Sequence, residues 1–401
     1  MDHISTDAAF MHDPIEWDRT PAPTGGCLLA PRKVPDGTLG GLTAGQLSRL
    51  CDVAGLDPGD TRGYVDAVVS ALGGVAGRPL DLPPATATFL SDDHTPVEYS
   101  LSFTPGEAPV LRVLLDPGCG ADSLARGGRV GLDAVRRMAR RWNFSTDRLD
   151  ELADLFLPPD PHGPLALWCA LELRPGGTPK VKVYLNPAAR GAKRSAETVR
   201  EALRRLGHRH AFDTLPPADR FLFFALDLGD WDEPRAKVYL AHQDVSAGDA
   251  AALSRTADHA RHAEFRTFFR TVTGVTHDGP DGDAALFRRP FQSCHAFTET
   301  ASGLPSGFTL YVPVRDHARH DGEALERAVT VLEHHGMDPG PLIRAVPAVT
   351  GRRLTDGVGL VAYVSLAHQQ GRPPRVTVYV SAEAYRVRPP NLPAPQPEAV
   401  H

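Results

Sequence analysis

Disulfide and zinc chemistry have no foothold in this sequence. Its five cysteines (Cys27, Cys51, Cys119, Cys169, Cys294) are scattered, odd in number and form no CxxC pair. The simplest reading is reduced thiols in a cytosolic protein. Positive charge is not in excess: 43 Lys and Arg face 49 Asp and Glu, for a net charge of -6. Phosphate-backbone binding would want a basic surface, so nucleic acid is not expected as a partner. No apolar run approaches the length that spans a bilayer. The opening MDHISTDAAF has no basic start followed by an apolar core, so a secretory leader is not expected and the cytoplasm is the expected location. Also missing are a Gly-rich phosphate loop and a GxSxG elbow. Asp92 and Asp93 in SDDHTP are the nearest approach to an Asp-rich magnesium motif, and the further spaced carboxylate is absent.

What is present is enough apolar residue, 42%, to bury a core, and 23% charge to keep a surface wet. Gly and Pro number 37 each, so they carry information only where they recur in register. They do recur. Five segments share one layout of apolar strand, Gly/Pro turn and a second strand entered just after a proline. These are PVEYSLSFTPGEAPVLRVLLDP from Pro96, LWCALELRPGGTPKVKVYLNP from Leu167, RFLFFALDLGDWDEPRAKVYLAHQD from Arg220, FQSCHAFTETASGLPSGFTLYVPV from Phe291 and VGLVAYVSLAHQQGRPPRVTVYVSAEAY from Val358. Stretches with helical spacing separate them, such as VGLDAVRRMARRW, SAETVREALRRLGH and GDAAALSRTADHARHAEFRTFFRTV, several opening on a Ser, Thr or Asp suited to an N-cap, with Ser195 one example.

The order predicts an α+β fold. Ten antiparallel strands from five repeats close into a barrel and helices surround it, which leaves no sheet edge unpaired. One barrel domain is expected over residues 41–385, after an irregular segment 1–40 and before a Pro-rich tail 386–401.

Period-two reading of the second strands sorts their faces. One register holds Arg112, Lys182, Lys237, Thr309 and Thr377. Two residues on come Leu114, Tyr184, Tyr239, Tyr311 and Tyr379; two residues earlier come Lys180, Arg235 and Arg375. The opposite face is apolar and calls for the helices as cover, so the cationic and phenolic face points into the lumen. A single strand of this kind reads as an ordinary half-solvated strand. Tyrosine at one register in four units, always two residues after a Lys, Arg or Thr, describes a site.

Fixed cations in an enclosed lumen suit a multiply charged anion, most naturally a diphosphate. Tyrosine faces suit the carbocation left when an allylic diphosphate ionises, at about 0.5–2 kcal/mol per contact. Glu98, grouped by parity with Ser100 and Ser102, supplies a carboxylate for an acceptor N–H or a departing proton. Together they outline an electrophilic aromatic substitution site.

On PVEYSLSF, PKVKVYLNP and PRAKVYLAHQD the chain resembles the dimethylallyltryptophan synthase family of aromatic prenyltransferases. The resemblance runs from roughly Phe89 to Tyr385 and implies the five-repeat ABBA barrel, dimethylallyl diphosphate as donor, an indole such as L-tryptophan as acceptor, and no metal or other cofactor. Matched residue by residue, Glu98 meets the indole N–H. Arg112, Lys182, Arg235 and Lys237 bind the diphosphate, with Arg375 added by its register. Tyr184, Tyr239, Tyr311 and Tyr379 shield the cation, and Phe89 and Leu90 lie where relatives touch the amino-acid part of the acceptor. Thr309 joins the diphosphate set where fungal members commonly carry glutamine, and no residue matches their proton-accepting lysine. Length and composition resemble the bacterial branch, so C6 is the expected ring position. Left open are other acceptors (tyrosine, an indole-containing cyclic dipeptide, a phenolic polyketide) and a non-catalytic barrel that binds an anionic aromatic ligand. The histidine pairs His208/His210, His259/His262 and His317/His320 show no third ligand and read as surface helix. His295 reads as a core histidine rather than a wall of the acceptor pocket.

Overall fold

The computed structural model describes residues 35–229, 231–256, 261–275 and 289–391. Cys27, His259 and most of the two expected irregular ends lie outside these residues. Ten strands form in the expected places: β1 Val97–Phe103, β2 Val110–Leu115, β3 Leu167–Glu172, β4 Lys180–Leu185, β5 Arg220–Leu228, β6 Arg235–His242, β7 Phe291–Phe297, β8 Gly307–Val312, β9 Val361–Gln369 and β10 Arg375–Ser381. Each pairs antiparallel with its sequence neighbour, and β1 meets β10 from Glu98↔Ser381 to Phe103↔Val376, so the barrel closes. Closure satisfies every strand's outward-reaching backbone groups within the sheet.

Alternation sets what lies inside and outside. Leu111, Val113, Leu115, Val181, Val183, Leu185, Val238, Leu240, Leu310, Val312, Val376, Val378 and Val380 are all at most 2% exposed. They form the barrel's outer face under the helices, and each such side chain contributes about 1.5–3 kcal/mol of transfer free energy. The helices are α1 Leu39–Val53, α2 Pro58–Leu72, α3 Leu124–Trp142, α4 Asp147–Phe156, α5 Ser195–Arg205, α6 Ala247–Ala252, α7 His262–Thr273, α8 Asp321–His334 and α9 Gly340–Val349. Close approach between β2 and α3 needs glycine. A Cβ on Gly118 would lie 2.5 Å from the Gly127 carbonyl oxygen.

Three expectations shift at the helix ends. α3 begins six residues before Val130, because Ser123 caps it by accepting from the Arg126 N–H. Ser195 is the first helical residue of α5 rather than its cap; Arg194 holds that position and makes no side-chain cap. The stretch from Gly248 resolves into α6, closed by a Ser246/Asp249 capping box, and a separate α7. At α3 and α6 local capping chemistry, invisible to apolar periodicity, sets the boundary.

The N-terminal helices seal the seam where the ring closes. Buried Gln46 on α1 donates from Nε2 to the carbonyls of Val349, 3.0 Å, and Ala382, 2.8 Å. Its Oε1 accepts from the Tyr99 hydroxyl of β1 at 3.3 Å. One side chain therefore links α1, α9, β1 and the end of β10.

Candidate active site

The lumen is stratified along the barrel axis. Its floor lies at the entry of the even strands. Arg112 bonds Glu172 at 2.8 Å, Glu172 also holds Arg174 at 2.7 Å, and Lys182 pairs with Asp227 at 3.1 Å. Arg235 and Lys180 lie over the Trp231 ring at 4.4 and 5.8 Å. Buried Nε atoms of Arg235 and Arg375 have no hydrogen-bond acceptor. Across the ladder from the cations stand small residues: Ala170 opposite Lys182, Ala225 and Ala296 flanking Lys237, and Ala367 between Thr309 and Arg375. Side chains this short leave the middle of the floor to a ligand.

The charges there are unbalanced. Among the described residues, the carboxylates facing Arg112, Lys180, Lys182, Arg235, Lys237 and Arg375 are those of Glu172 and Asp227. Burial would raise the Glu172 carboxyl, but Arg112 and Arg174 hold it far below its ordinary range. Against burial, Lys182 and Lys237 likewise hold Asp227 down at about 2. The cost falls on Lys237, which burial and the neighbouring Lys182 ammonium push well below an ordinary lysine. A floor whose cations repel one another is arranged for a multiply charged anion.

Above the floor runs an aromatic belt. Ring centroids step from Tyr184 to Tyr239 at 5.7 Å, Tyr239 to Tyr311 at 5.7 Å, Tyr311 to Tyr379 at 5.9 Å and Tyr379 to Tyr363 at 6.5 Å. Phe223 meets Tyr184 at 6.0 Å and Trp168 at 5.4 Å. The four expected tyrosines are thus neighbours in one ring of aromatics. Leu114 stands in the tyrosine register of the first unit and packs with Leu90, Leu165 and Trp168.

Glu98 sits above the belt at the start of β1, 7% exposed. Burial raises its carboxyl from 4.5 to about 7; Arg315 opposes the rise and Asp92 adds to it. Around it is an ionic rim. Asp92 accepts from Arg289 at 2.7 Å and lies 3.4 Å from Arg315. Asp316 holds Arg289 at 2.6 Å, and Arg315 covers the Tyr363 ring at 4.8 Å. Asp93 is engaged separately, accepting from Ser91, Thr95 and the Tyr385 N–H. Both aspartates of SDDHTP are therefore committed to protein partners. Leu90 is buried in the wall of the lumen, whereas the Phe89 side chain is 48% exposed.

The expected cations, tyrosines and Glu98 converge on one cavity, while their counterparts from the first strands were not anticipated. Glu172, Asp227, Trp168, Phe223, Tyr363 and Arg315 all belong to the site. Most were within reach of the same parity rule, since Trp168 stands opposite Tyr184, Phe223 opposite Tyr239 and Tyr363 opposite Tyr379. Arg315 follows the end of β8, where no alternation could point to it. His295 faces outward beside Ser293, fully buried, and burial lowers its imidazole to about 3. His208 bonds the Pro234 carbonyl and His320 caps α8. No group of three or more metal-type donors gathers among the described residues, and no helix among them is long and apolar enough to cross a membrane.

Comparison with known proteins fits this arrangement. The family model described as tryptophan dimethylallyltransferase matches residues 43–341. The solved structure of the prenyltransferase PriB, in ternary complex with L-tryptophan and dimethylallyl thiolodiphosphate, is 61% identical with a TM-score of 0.86, covering 89% of this chain and 100% of that one. The 5-dimethylallyltryptophan synthase from Streptomyces coelicolor is 63% identical, TM-score 0.84, covering 88% and 100%. The 6-dimethylallyltryptophan synthase from Micromonospora olivasterospora, in complex with DMASPP and Trp, is 39% identical, TM-score 0.78, covering 88% and 99%.

Proposed function

Because this chain belongs to the tryptophan dimethylallyltransferase family, we propose that it transfers the dimethylallyl group of dimethylallyl diphosphate to the indole ring of L-tryptophan, with C6 as the position attacked. The observation that carries this reading is the vertical order of the lumen: surplus cations below, an aromatic belt in the middle, and Glu98 above.

In this reading the diphosphate takes the floor against Arg112, Lys182, Arg235, Lys237, Thr309 and Arg375. The allylic C1–O bond breaks and its electron pair leaves with the diphosphate. Floor cations stabilise that developing charge more than they stabilise the ester, which is what lowers the barrier. Lys237, lowered by burial and by the Lys182 ammonium, regains basicity beside the anion. The cation formed at C1 meets the faces of Tyr184, Tyr239, Tyr311 and Tyr379, which stabilise it and keep water away. Glu98 accepts the indole N–H, fixes the ring over the belt and enriches it in electrons. A ring carbon then gives its electron pair to C1, and loss of the proton on that carbon restores aromaticity. Leu90 and Phe89 approach the amino-acid part of the acceptor from the rim. This division of labour assigns the diphosphate's neutralisation to side chains.

With the N–H pinned at Glu98, the wall of Leu90, Leu114, Leu165 and Trp168 sets which carbon lies over the belt. C5 is the second reading, favoured by the 63% identity to a protein named for that position against 39% for one named for C6. The decisive experiment incubates purified protein with the donor and a panel of L-tryptophan, tyrosine, an indole-containing cyclic dipeptide and a phenolic polyketide, with a chelator present. Mass spectrometry should find a prenylated tryptophan and NMR should place the substituent on C6. Product at C5 selects the second reading. No prenylated product from any acceptor overturns both and leaves a barrel that only binds.

A further inference from the structure

Asp116 is a half-buried carboxylate that takes no part in the bond changes of the transfer. It stands one step past the end of β2, in the register of Arg112 and Leu114, so it borders the lumen above Leu114. Its oxygens collect donors from three directions: the Thr88 hydroxyl at 2.7 Å, the Gly118 N–H at 3.2 Å and the Trp168 indole. Burial raises the carboxyl, and those three donors pull against the rise. The Trp168 N–H faces Asp116 short of full hydrogen-bond geometry and has no acceptor elsewhere among the described residues. Thr88 passes the contact on, since its hydroxyl oxygen accepts the Leu90 N–H at 3.4 Å. A carboxylate has room for all of these donors, where an amide offers one accepting oxygen.

The two side chains so connected are parts of one wall. Trp168 stands opposite Tyr184 on β4 and meets the Phe223 ring at 5.4 Å. Leu90 packs against it together with Leu114 and Leu165. Leu114 in turn lies across the ladder from Glu98. An indole held by its N–H at Glu98 therefore has this wall beside it, and the freedom left to it is rotation about that one hydrogen bond. C5 and C6 are bonded neighbours, so the wall must be placed to within a bond length to present one carbon and not the other. A displacement of about 1 Å is enough to cost a reaction path about a hundredfold.

We infer that Asp116 is a positioning residue for the acceptor ring: by holding the Trp168 indole and, through Thr88, the Leu90 backbone in one arrangement, it sets which ring carbon is attacked. This rests on the proposed transfer to tryptophan and holds whether that carbon is C6 or C5. Asp116 acts through Trp168, so its removal should change the identity of the product more than the rate at which the donor ionises. The cationic floor lies at the other end of the lumen and should keep its grip on the donor.

The test measures ring isomers by NMR for the parent, Asp116→Asn, Trp168→Phe and the double variant, each with L-tryptophan and dimethylallyl diphosphate. Asparagine keeps the side chain's volume; phenylalanine keeps a ring and removes the N–H. Each single variant should lower the ratio of major to minor ring isomer about tenfold, with the donor KM within about twofold of the parent. The double variant should be no less selective than Trp168→Phe alone, because the two residues act as one unit. An unchanged ratio in either single variant, effects that multiply in the double variant, or a donor KM that rises in step would overturn the inference. Should Asp116→Asn not fold, Thr88→Val removes one of the donors and leaves the carboxylate; its ratio must shift the same way or the inference fails. It fails equally if the parent prenylates tryptophan with no preference among ring carbons. A parent that prenylates no acceptor would instead sink the proposed function.

Discussion

Glu98 joins a fold requirement to a chemical one. Its carboxyl is raised to about 7 because the barrel buries it. The ionised form is the better acceptor for an indole N–H, so kcat/KM for the acceptor should climb with pH through about 7 and then level off. Glu98→Gln should abolish that limb and lower turnover by roughly two to four orders of magnitude. The same shift has a stability consequence of definite sign. The folded state binds more protons than the unfolded one between 4.5 and about 7, so the parent loses stability as pH rises across that window. Glutamine carries no such proton. At pH 8 the Glu98→Gln protein should therefore be the more stable by about 1–3 kcal/mol, a gap that closes toward pH 5. Urea titrations at the two pH values measure it, and a variant less stable than the parent at pH 8 would refute the assignment.

At the scale of one element, the β5–β6 connection closes the floor with an indole of its own. Trp231 covers Arg235 at 4.4 Å and Lys180 at 5.8 Å, and its buried N–H has no acceptor. Ring contacts of this kind contribute about 0.5–2 kcal/mol each. Trp231→Ala should raise the donor KM about tenfold and divert more of the donor to dimethylallyl alcohol as water reaches the cation. Alcohol-to-product ratios unchanged from the parent would show that Trp231 shields nothing. The element scale also explains what the sequence disclosed. In β4 and β6 a prolonged alternation put Lys182 before Tyr184 and Lys237 before Tyr239, and a period of two cannot be read on the wrong face without exposing Val183 and Val238. The first strands hid their role because only a small residue repeats along their lumen face, as Ala170, Ala225 and Ala367, while the larger positions change type from Trp168 to Phe223 to Tyr363 and from Glu172 to Asp227. Ser195 misled for a further reason, since a cap depends on backbone angles at one residue and not on the side chain alone.

For the whole molecule the question is what keeps a ring of ten strands shut. Neighbouring strands elsewhere are joined by short turns or a covering helix, but β1 and β10 are the most distant in the chain, and their ladder is supported by Gln46, by the Ser102–Thr377 hydroxyl pair and by Asp93 accepting from the Tyr385 N–H. Gln46→Leu would strand the buried carbonyls of Val349 and Ala382 and leave the Tyr99 hydroxyl only its 3.4 Å contact with the Thr43 carbonyl, costing about 2–4 kcal/mol. Denaturant midpoints should fall accordingly, and activity should be lost in step with structure. A variant as stable as the parent would mean that the ladder and the other seam bonds hold without Gln46. Nothing in the sequence could have singled out Gln46: its partners are two backbone carbonyls more than three hundred residues away.

The hairpins divide the floor and the belt among them, and none brings a working set. Tyr184, Tyr239, Tyr311, Tyr363 and Tyr379 come from the last four repeats, while the floor's cations Arg112, Lys180, Lys182, Arg235, Lys237 and Arg375 come from the first, second, third and fifth. A fragment with four repeats would keep most of these side chains and lose the enclosure that gives them meaning. Divergence among the five repeats is therefore tethered: a repeat is free to trade its rim residues for a new acceptor, but its contribution to the hoop is held in place by the other four.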